Sequence, residues 1–301
     1  MTSLSLPAYA KVNWTLDVRT RRPDGYHDIR SVMQTIALCD TVTVTPTPTV
    51  PGVRLTLDGD EASGVPDGPA NIVHKAAVRL QKVAAARGVL PGDRSGLHIH
   101  LVKRIPSQAG LGGGSSDAAA TLRAVNELFG LRLPLPRLTE IAAALGADVP
   151  FFLVGGTALV EGLGERVTAL APLSSPCFLI VVKPPVGVST AEAYAALDAD
   201  TGRIHGTATD QWLAQPSCAP RGNDFEDVVL PALPAVRAAY HLLLQTMTNG
   251  EGFRPLLCGS GAAVFCSAPD AGAAEGIADA ARRAGVGKAW VTHTQETILD
   301  G

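Results

Sequence analysis

Three things are missing from this sequence, and each absence excludes a class of protein. There is no C-x-x-C pair: Cys39, Cys177, Cys218, Cys258 and Cys266 fall at long, irregular spacings. That argues against a zinc site or a disulfide scaffold and for reduced, mostly buried thiols. No apolar run approaches the roughly 18 residues of a membrane span. The opening MTSLSLPAYAK has neither the basic start nor the apolar core of a secretion signal, so a cytoplasmic chain without membrane contact is expected. Charge is sparse, at 18% of residues and a net −3, and the 25 basic residues are scattered. Nucleic acid and anionic membranes are therefore not the expected partners; a small molecule is.

Apolar residues, by contrast, are plentiful. With 46% hydrophobic content over 301 residues, the chain can bury a large core in one big domain or two, which excludes a disordered or fibrous protein. In PAYAKVNWTLDV, Ala8, Ala10, Val12, Trp14, Leu16 and Val18 alternate with Tyr9, Lys11, Asn13, Thr15 and Asp17. This period predicts a half-buried strand with Lys11, Asn13 and Thr15 on its polar face. Alternation at 41–45, 53–58 and 97–102 predicts three further strands. His98 and His100 fall on the exposed side of the last, as solvated histidines. Val73, Ala76, Leu80 and Val83 mark one face of a helix.

A second half starts near residue 150. The stretch 138–146 reads as a helix stopped by Gly146, TALVEGLGE as a strand and glycine turn, and CFLIVVKPP as a buried strand closed by prolines. Residues 199–222 have weak periodicity and many turn formers, so a loop or a poorly ordered helix pair is expected. A helix over 271–284 and a strand around KAWVTHT complete an α+β pattern.

The densest local signal is IPSQAGLGGGSSDAAA at 105–120, with four glycines in five positions. Glycines mark places where backbone approaches something closely or takes positive φ. Ser115, Ser116 and Asp117 supply helix-starting side chains, and Ala118, Leu122, Val125 and Phe129 form an apolar stripe ended by Gly130. The glycines thus sit at a helix N-terminus, where free N–H groups and the helix dipole attract an anion such as a nucleotide's phosphates. The bland alternative is a tight strand-to-helix turn. Asp117 alone reads equally as a carboxylate favoured by the dipole. Neither G-x-x-x-x-G-K-[ST] nor G-x-G-x-x-G fits the loop, and GSGAAV at 259–264 has Val264 where a third glycine would stand.

PSQAGLGGGSSDAAA closely resembles the phosphate-binding motif of the GHMP kinase superfamily, and PAYAKVNWTLDV and LCGSGAAVF resemble its other two motifs. AKVNWTLDVRTRRPDGYHDI, GADVPFFLVGGTALVEGLGE and NDFEDVV are similar, within that superfamily, to the branch acting on a cytidine diphosphate derivative of methylerythritol. The resemblance runs in order from about residue 7 to 294. It implies an α+β, two-domain GHMP kinase fold: an N-terminal ATP-binding domain over 1–150 and a ferredoxin-like C-terminal domain over 151–301. It also implies a monomer or weak homodimer. The activity implied is ATP- and Mg2+-dependent phosphorylation of the substrate's C2 hydroxyl, in the non-mevalonate route to isoprenoid precursors.

The resemblance also implies roles for particular residues. Lys11 and Asp148 would be catalytic, and this suits the chemistry: an alcohol is a poor nucleophile, helped by a carboxylate that takes its proton and a cation that offsets phosphate charge. Pro106, Ser107, Gln108, Ala109, Gly110, Leu111, Gly112, Gly113, Gly114, Ser115 and Ser116 would bind ATP. Tyr26 and His27 would stack on and hydrogen-bond the cytosine, with Tyr194 on its opposite face. Asn13 would bind substrate between base and reaction centre, and Gly259, Ser260 and Gly261 would close over it. Cys258 stands where the family more often has threonine. Each residue has a plainer reading too: Lys11 as a solvated charge, Asp148 as a helix-end or turn aspartate, Tyr26 as a turn aromatic covering the core.

Overall fold

The computed structural model describes residues 2–47, 50–89, 96–200, 202, 205–219, 221–246 and 254–296. The chain divides into two compact units, each assembled from separated stretches. Met1–Ala10, Cys39–Ser107 and Gly112–Val154 form the first; Lys11–Leu38, Gln108–Leu111 and Gly155–Gly301 form the second. Two long strands, β1 (Leu4–Arg21) and β2 (His27–Pro46), contribute residues to both.

In the first unit these strands are joined by β3 (Val53–Asp58), α1 (Ile72–Ala86), β4 (Leu97–Val102), α2 (Gly113–Leu128), α3 (Leu135–Ala143) and the single turn α4 (Phe151–Val154). The sheet order is β3-β4-β2-β1. β4 pairs antiparallel with β2, Thr41 opposite Val102, and parallel with β3, Val53 opposite Leu97. Leu97, Ile99 and Leu101 of β4 are buried. On the opposite face His98 and His100 are half-buried and share the Thr56 hydroxyl, at 2.9 and 3.1 Å. α1 packs against α2. It buries Val73, Ala76, Ala77, Leu80 and Ala84, while Val83 lies at the edge of the face.

The second unit adds β5 (Thr157–Gly162), β6 (Arg166–Ala169), β7 (Phe178–Lys183), α5 (Thr190–Ala199), α6 (Ala208–Ala214), β8 (Gly222–Asn223), α7 (Glu226–Ala232), α8 (Pro234–Thr246), β9 (Leu256–Leu257), β10 (Val264–Ala268), α9 (Ala271–Ala284) and β11 (Lys288–His293). β8 pairs parallel with β1, β5 antiparallel with β2, and β6 with β5. A separate antiparallel sheet, in the order β11-β7-β10-β9, carries α8 and α9. The α+β expectation stands.

Four expectations need correction. β1 is not half-buried in the second unit: Lys11, Asn13, Thr15 and Asp17 are as enclosed as the apolar residues between them. Other polar groups line that face; Thr15 meets Thr209 at 2.8 Å, and Asp17 accepts the N–H groups of Ala208 and Thr209. The same contacts order part of 199–222 as α6, although residues 201, 203, 204 and 220 lie outside the described residues. Two of the five cysteines, Cys177 and Cys218, form a disulfide with Cα atoms 5.8 Å apart, because the turn after α6 returns to the start of β7. Finally, α2 starts at Gly113 with Gly112 as N-cap at φ 72°, so Ser115, Ser116 and Asp117 lie inside the helix rather than before it. Among the described residues no single helix is long and apolar enough to cross a membrane.

Candidate active site

In the second unit the site grows from β1. Alternation puts Lys11 and Asn13 on one face two residues apart, and the Lys11 ammonium donates to Asn13 Oδ1 at 2.8 Å. Asn13 Nδ2 in turn donates to Ser31 Oγ of β2 at 2.8 Å. Lys11 is 3% exposed, so the solvated-charge reading fails; a buried ammonium persists only with polar partners.

Loop segment 108–111 meets the same strand. Leu111 O accepts the Lys11 N–H at 3.0 Å, and Gln108 O and Ala109 O accept the N–H groups of Ala262 and Ala263 at 3.2 Å. Gly110 has φ 75°, and a Cβ there would run into the Cys258 carbonyl. Gly259 has φ 52°, and a Cβ there would lie 3.1 Å from both Gly110 O and Lys11 Nζ. Only glycine fits this double approach, which places the two glycine segments and Lys11 together. Ser260 Oγ lies 2.9 Å from Thr190 Oγ1, and Gly261 has φ 100°. Burial pushes the Cys258 thiol up to about 12, against the pull of Lys11, so it acts as a small buried side chain.

In the first unit, Gly112 to Ser116 begin α2, with no side-chain cap on the N-terminal N–H groups. Uncapped N–H groups beside glycine leave room for an anion. At this helix start Asp117 joins Lys103 and Asp40, two residues that nothing in the sequence marked. Lys103 Nζ donates to Asp117 Oδ2 at 2.7 Å and to Asp40 Oδ2, although Asp40 and Lys103 are 63 residues apart in sequence. Asp40 Oδ1 accepts the N–H groups of Arg104 and Ile105 just ahead of Pro106. Burial pushes the Asp117 carboxyl up, Lys103 pulling it down and Asp40 raising it further. Burial also works against the Lys103 ammonium, but the two carboxylates outweigh it and raise its pKa.

Asp148 stands half-buried in the turn after α3, before the enclosed Val149, Phe151 and Phe152. Arg123 of α2 donates to Leu153 O at 2.6 Å, which ties down the α4 turn that follows.

The expected base-binding residues lie in the second unit. Tyr26 is 63% exposed, so it does not cover the core. His27 is buried; its ring stacks on Tyr194 with centroids 4.9 Å apart, and Nε2 lies 2.7 Å from Asp198 Oδ1. Tyr194 also meets Phe225 edge-on at 4.9 Å. The structure thus brings His27 and Tyr194 together and leaves the Tyr26 ring open to solvent.

The family profile described as "GHMP kinases N terminal domain" matches residues 71–156. A Geobacter sulfurreducens protein named 4-diphosphocytidyl-2-C-methyl-D-erythritol kinase is 42% identical over 300 residues, which cover 99% of this chain and 100% of the relative. The crystal structure of a 4-(cytidine 5'-diphospho)-2C-methyl-D-erythritol kinase superposes with TM-score 0.76 at 31% identity, covering 98% of this chain and 100% of that one. A homoserine kinase from Cytophaga hutchinsonii superposes with TM-score 0.69 at 20% identity, over 98% of this chain and 95% of that one, a likeness of fold alone. The small-molecule kinase fold, the glycine loops and the near-complete coverage lead to one assignment: the chain belongs to the 4-diphosphocytidyl-2-C-methyl-D-erythritol kinase family of the GHMP kinases.

Proposed function

We propose that the enzyme transfers the γ-phosphoryl group of ATP to the C2 hydroxyl of 4-diphosphocytidyl-2-C-methyl-D-erythritol, giving the 2-phosphate and ADP in the non-mevalonate route. The observation that carries this reading is the enclosed Lys11, hydrogen-bonded to Asn13 and packed against the Gly110 and Gly259 segments. Isolated structural lysines are rarely so deep.

The alcohol oxygen attacks the γ-phosphorus, its proton passes to the Asp148 carboxylate, and the bond from that phosphorus to the leaving ADP oxygen breaks. Lys11 offsets charge gathering on the transferring group. Such transfers depend chiefly on positioning and electrostatics. Backbone N–H groups of Gly112–Ser116, with Pro106–Leu111 leading into them, hold the phosphates. Mg2+, when bound, neutralises phosphate charge. Among the described residues no group of three or more His, Cys, Asp or Glu is placed to hold a metal. Tyr26, His27 and Tyr194 hold the cytosine, Asn13 the middle of the substrate, and Gly259–Gly261 its phosphate side. In the family's terms 1–150 is the ATP-binding domain and 151–301 the C-terminal domain. We place the enzyme in the cytoplasm as a monomer or weak homodimer.

A coupled ADP-release assay tests the substrate. With ATP, the cytidylyl substrate should support a kcat/KM at least about a thousandfold above homoserine or mevalonate, because the base-binding residues contact nothing in the smaller alcohols. Comparable turnover of either would overturn the assignment.

A further inference from the structure

The segment NDFED at 223–227 has no part in the chemistry above, yet two of its side chains grip the backbone of the second glycine turn. Asn223 Nδ2 donates to Leu257 O at 2.8 Å and to Gly259 O at 2.7 Å, and its Oδ1 accepts the Phe225 N–H at 3.0 Å. All three polar positions of this amide are thereby used within the chain. Glu226 Oε1 accepts the Leu257 N–H at 3.0 Å, while Oε2 pairs with Arg254. Both residues are buried.

The turn held in this way points at the proposed catalytic strand. Gly259 N–H donates to Asn13 Oδ1 at 3.1 Å, and the Lys11 ammonium donates to that same oxygen at 2.8 Å. The clasp has a firm base, because β8 pairs with β1 through Thr15 opposite Gly222 and Leu16 opposite Asn223, and Asp224 N–H donates to Leu16 O at 3.0 Å. β1 therefore carries Lys11 and Asn13 directly and also anchors the residue that fixes the turn against them. Moving the turn would remove one of the two donors that orient Asn13, and with it the seat of the ammonium.

We propose that Asn223 is a positioning residue for Lys11, acting through the Gly259 turn and Asn13. This rests on the catalytic reading of Lys11 given above. Asn223 touches no reacting atom; its amide supplies two donors to adjacent carbonyls that no carboxylate or methyl could supply.

The test uses the full chain with Asn223→Asp, which keeps the acceptor for Phe225 but turns a carboxylate toward two carbonyl oxygens, and Asn223→Ala as a second variant should the first not fold. Lys11→Ala runs beside them. The expected result is a kcat lower by about tenfold to a hundredfold, as for a displacement of about 1 Å. KM for ATP and for the alcohol substrate should stay within about threefold, the signature of an interaction made in the transition state. The Gly259 amide resonance and the Lys11 15Nζ resonance should both shift. A purely structural role would instead lower the melting temperature with these readouts unmoved in the folded fraction, and that result would overturn the proposal. So would wild-type kcat in either folded variant while Lys11→Ala is inactive. If Lys11→Ala is fully active, the catalytic reading of Lys11 falls; the Gly259 amide and Lys11 15Nζ resonances then judge the positioning claim alone, and their constancy would overturn it.

Discussion

Asp148 occupies a turn in which everything around it resists movement: Gly146 N–H returns to Ala142 O, Val149 N–H to Gly146 O, and Val149 and Phe151 are fully enclosed. A carboxylate held by such neighbours can be exchanged for its amide without disturbing the backbone. Asp148→Asn should therefore keep the melting temperature and the ATP KM near wild type while kcat falls by about a hundredfold to ten-thousandfold, the usual span for a lost general base. Wild-type turnover in steady-state assays would remove Asp148 from the mechanism. Lys11 differs in kind. Its ammonium is integrated into a polar line through Asn13 to Ser31, so removing it costs structure as well as chemistry.

Among the elements, the start of α2 is the proposed seat of the ATP phosphates, and neighbouring glycines there are not equivalent. A Cβ on Gly113 would come 2.9 Å from Ile105 Cγ2 and 3.4 Å from Lys103 Nζ, whereas one on Gly114 would meet only Ile72 Cγ2 at an ordinary 3.7 Å. A bulky residue at Gly113 thus tests packing as much as binding. Gly114→Val gives the cleaner measurement: stability within about 0.5 kcal/mol of wild type, as for other surface changes, with nucleotide affinity falling sharply by calorimetry. Unchanged affinity would place the phosphates away from this helix start. Elements with strong periodicity were legible in advance, among them β4 and α1, because an apolar stripe records burial against a hydrophobic partner. The buried face of β1 was not legible, since Lys11, Asn13, Thr15 and Asp17 are enclosed by polar partners that leave no apolar pattern. α6 escaped for the same reason, being held by Asp17 and Thr15. Glycine density marked the first loop, and motif resemblance singled out the second loop, Lys11 and Asp148 as candidates. It could not find Asp40 with Lys103, or Asn223 with Gly259, because each pair meets only once the chain has folded.

Across the whole molecule, each compact unit buries a carboxyl whose proton is held more tightly in the folded state than in the unfolded chain. Asp117 in the first unit is raised chiefly by burial, since a single ammonium serves both it and Asp40. Glu226 in the second is raised from 4.5 to about 7 by burial, with Arg254 and the Leu257 N–H opposing. For a group of this kind the folded protein binds more protons than the unfolded chain between the two pKa values, so unfolding free energy falls as pH rises through that interval. The sign is opposite to that of an exposed, salt-bridged carboxylate. For Glu226 the window runs from 4.5 to about 7: its contribution is most favourable below 4.5, declines across the window and is constant above it. Urea midpoints from pH 4 to 8 for wild type and Glu226→Gln should show the wild type losing ground to the variant across that window and holding a steady difference beyond it. A wild type that instead gains on the variant with rising pH would mean that the Arg254 pairing outweighs burial, and that Glu226 grips the Leu257 N–H as a carboxylate throughout.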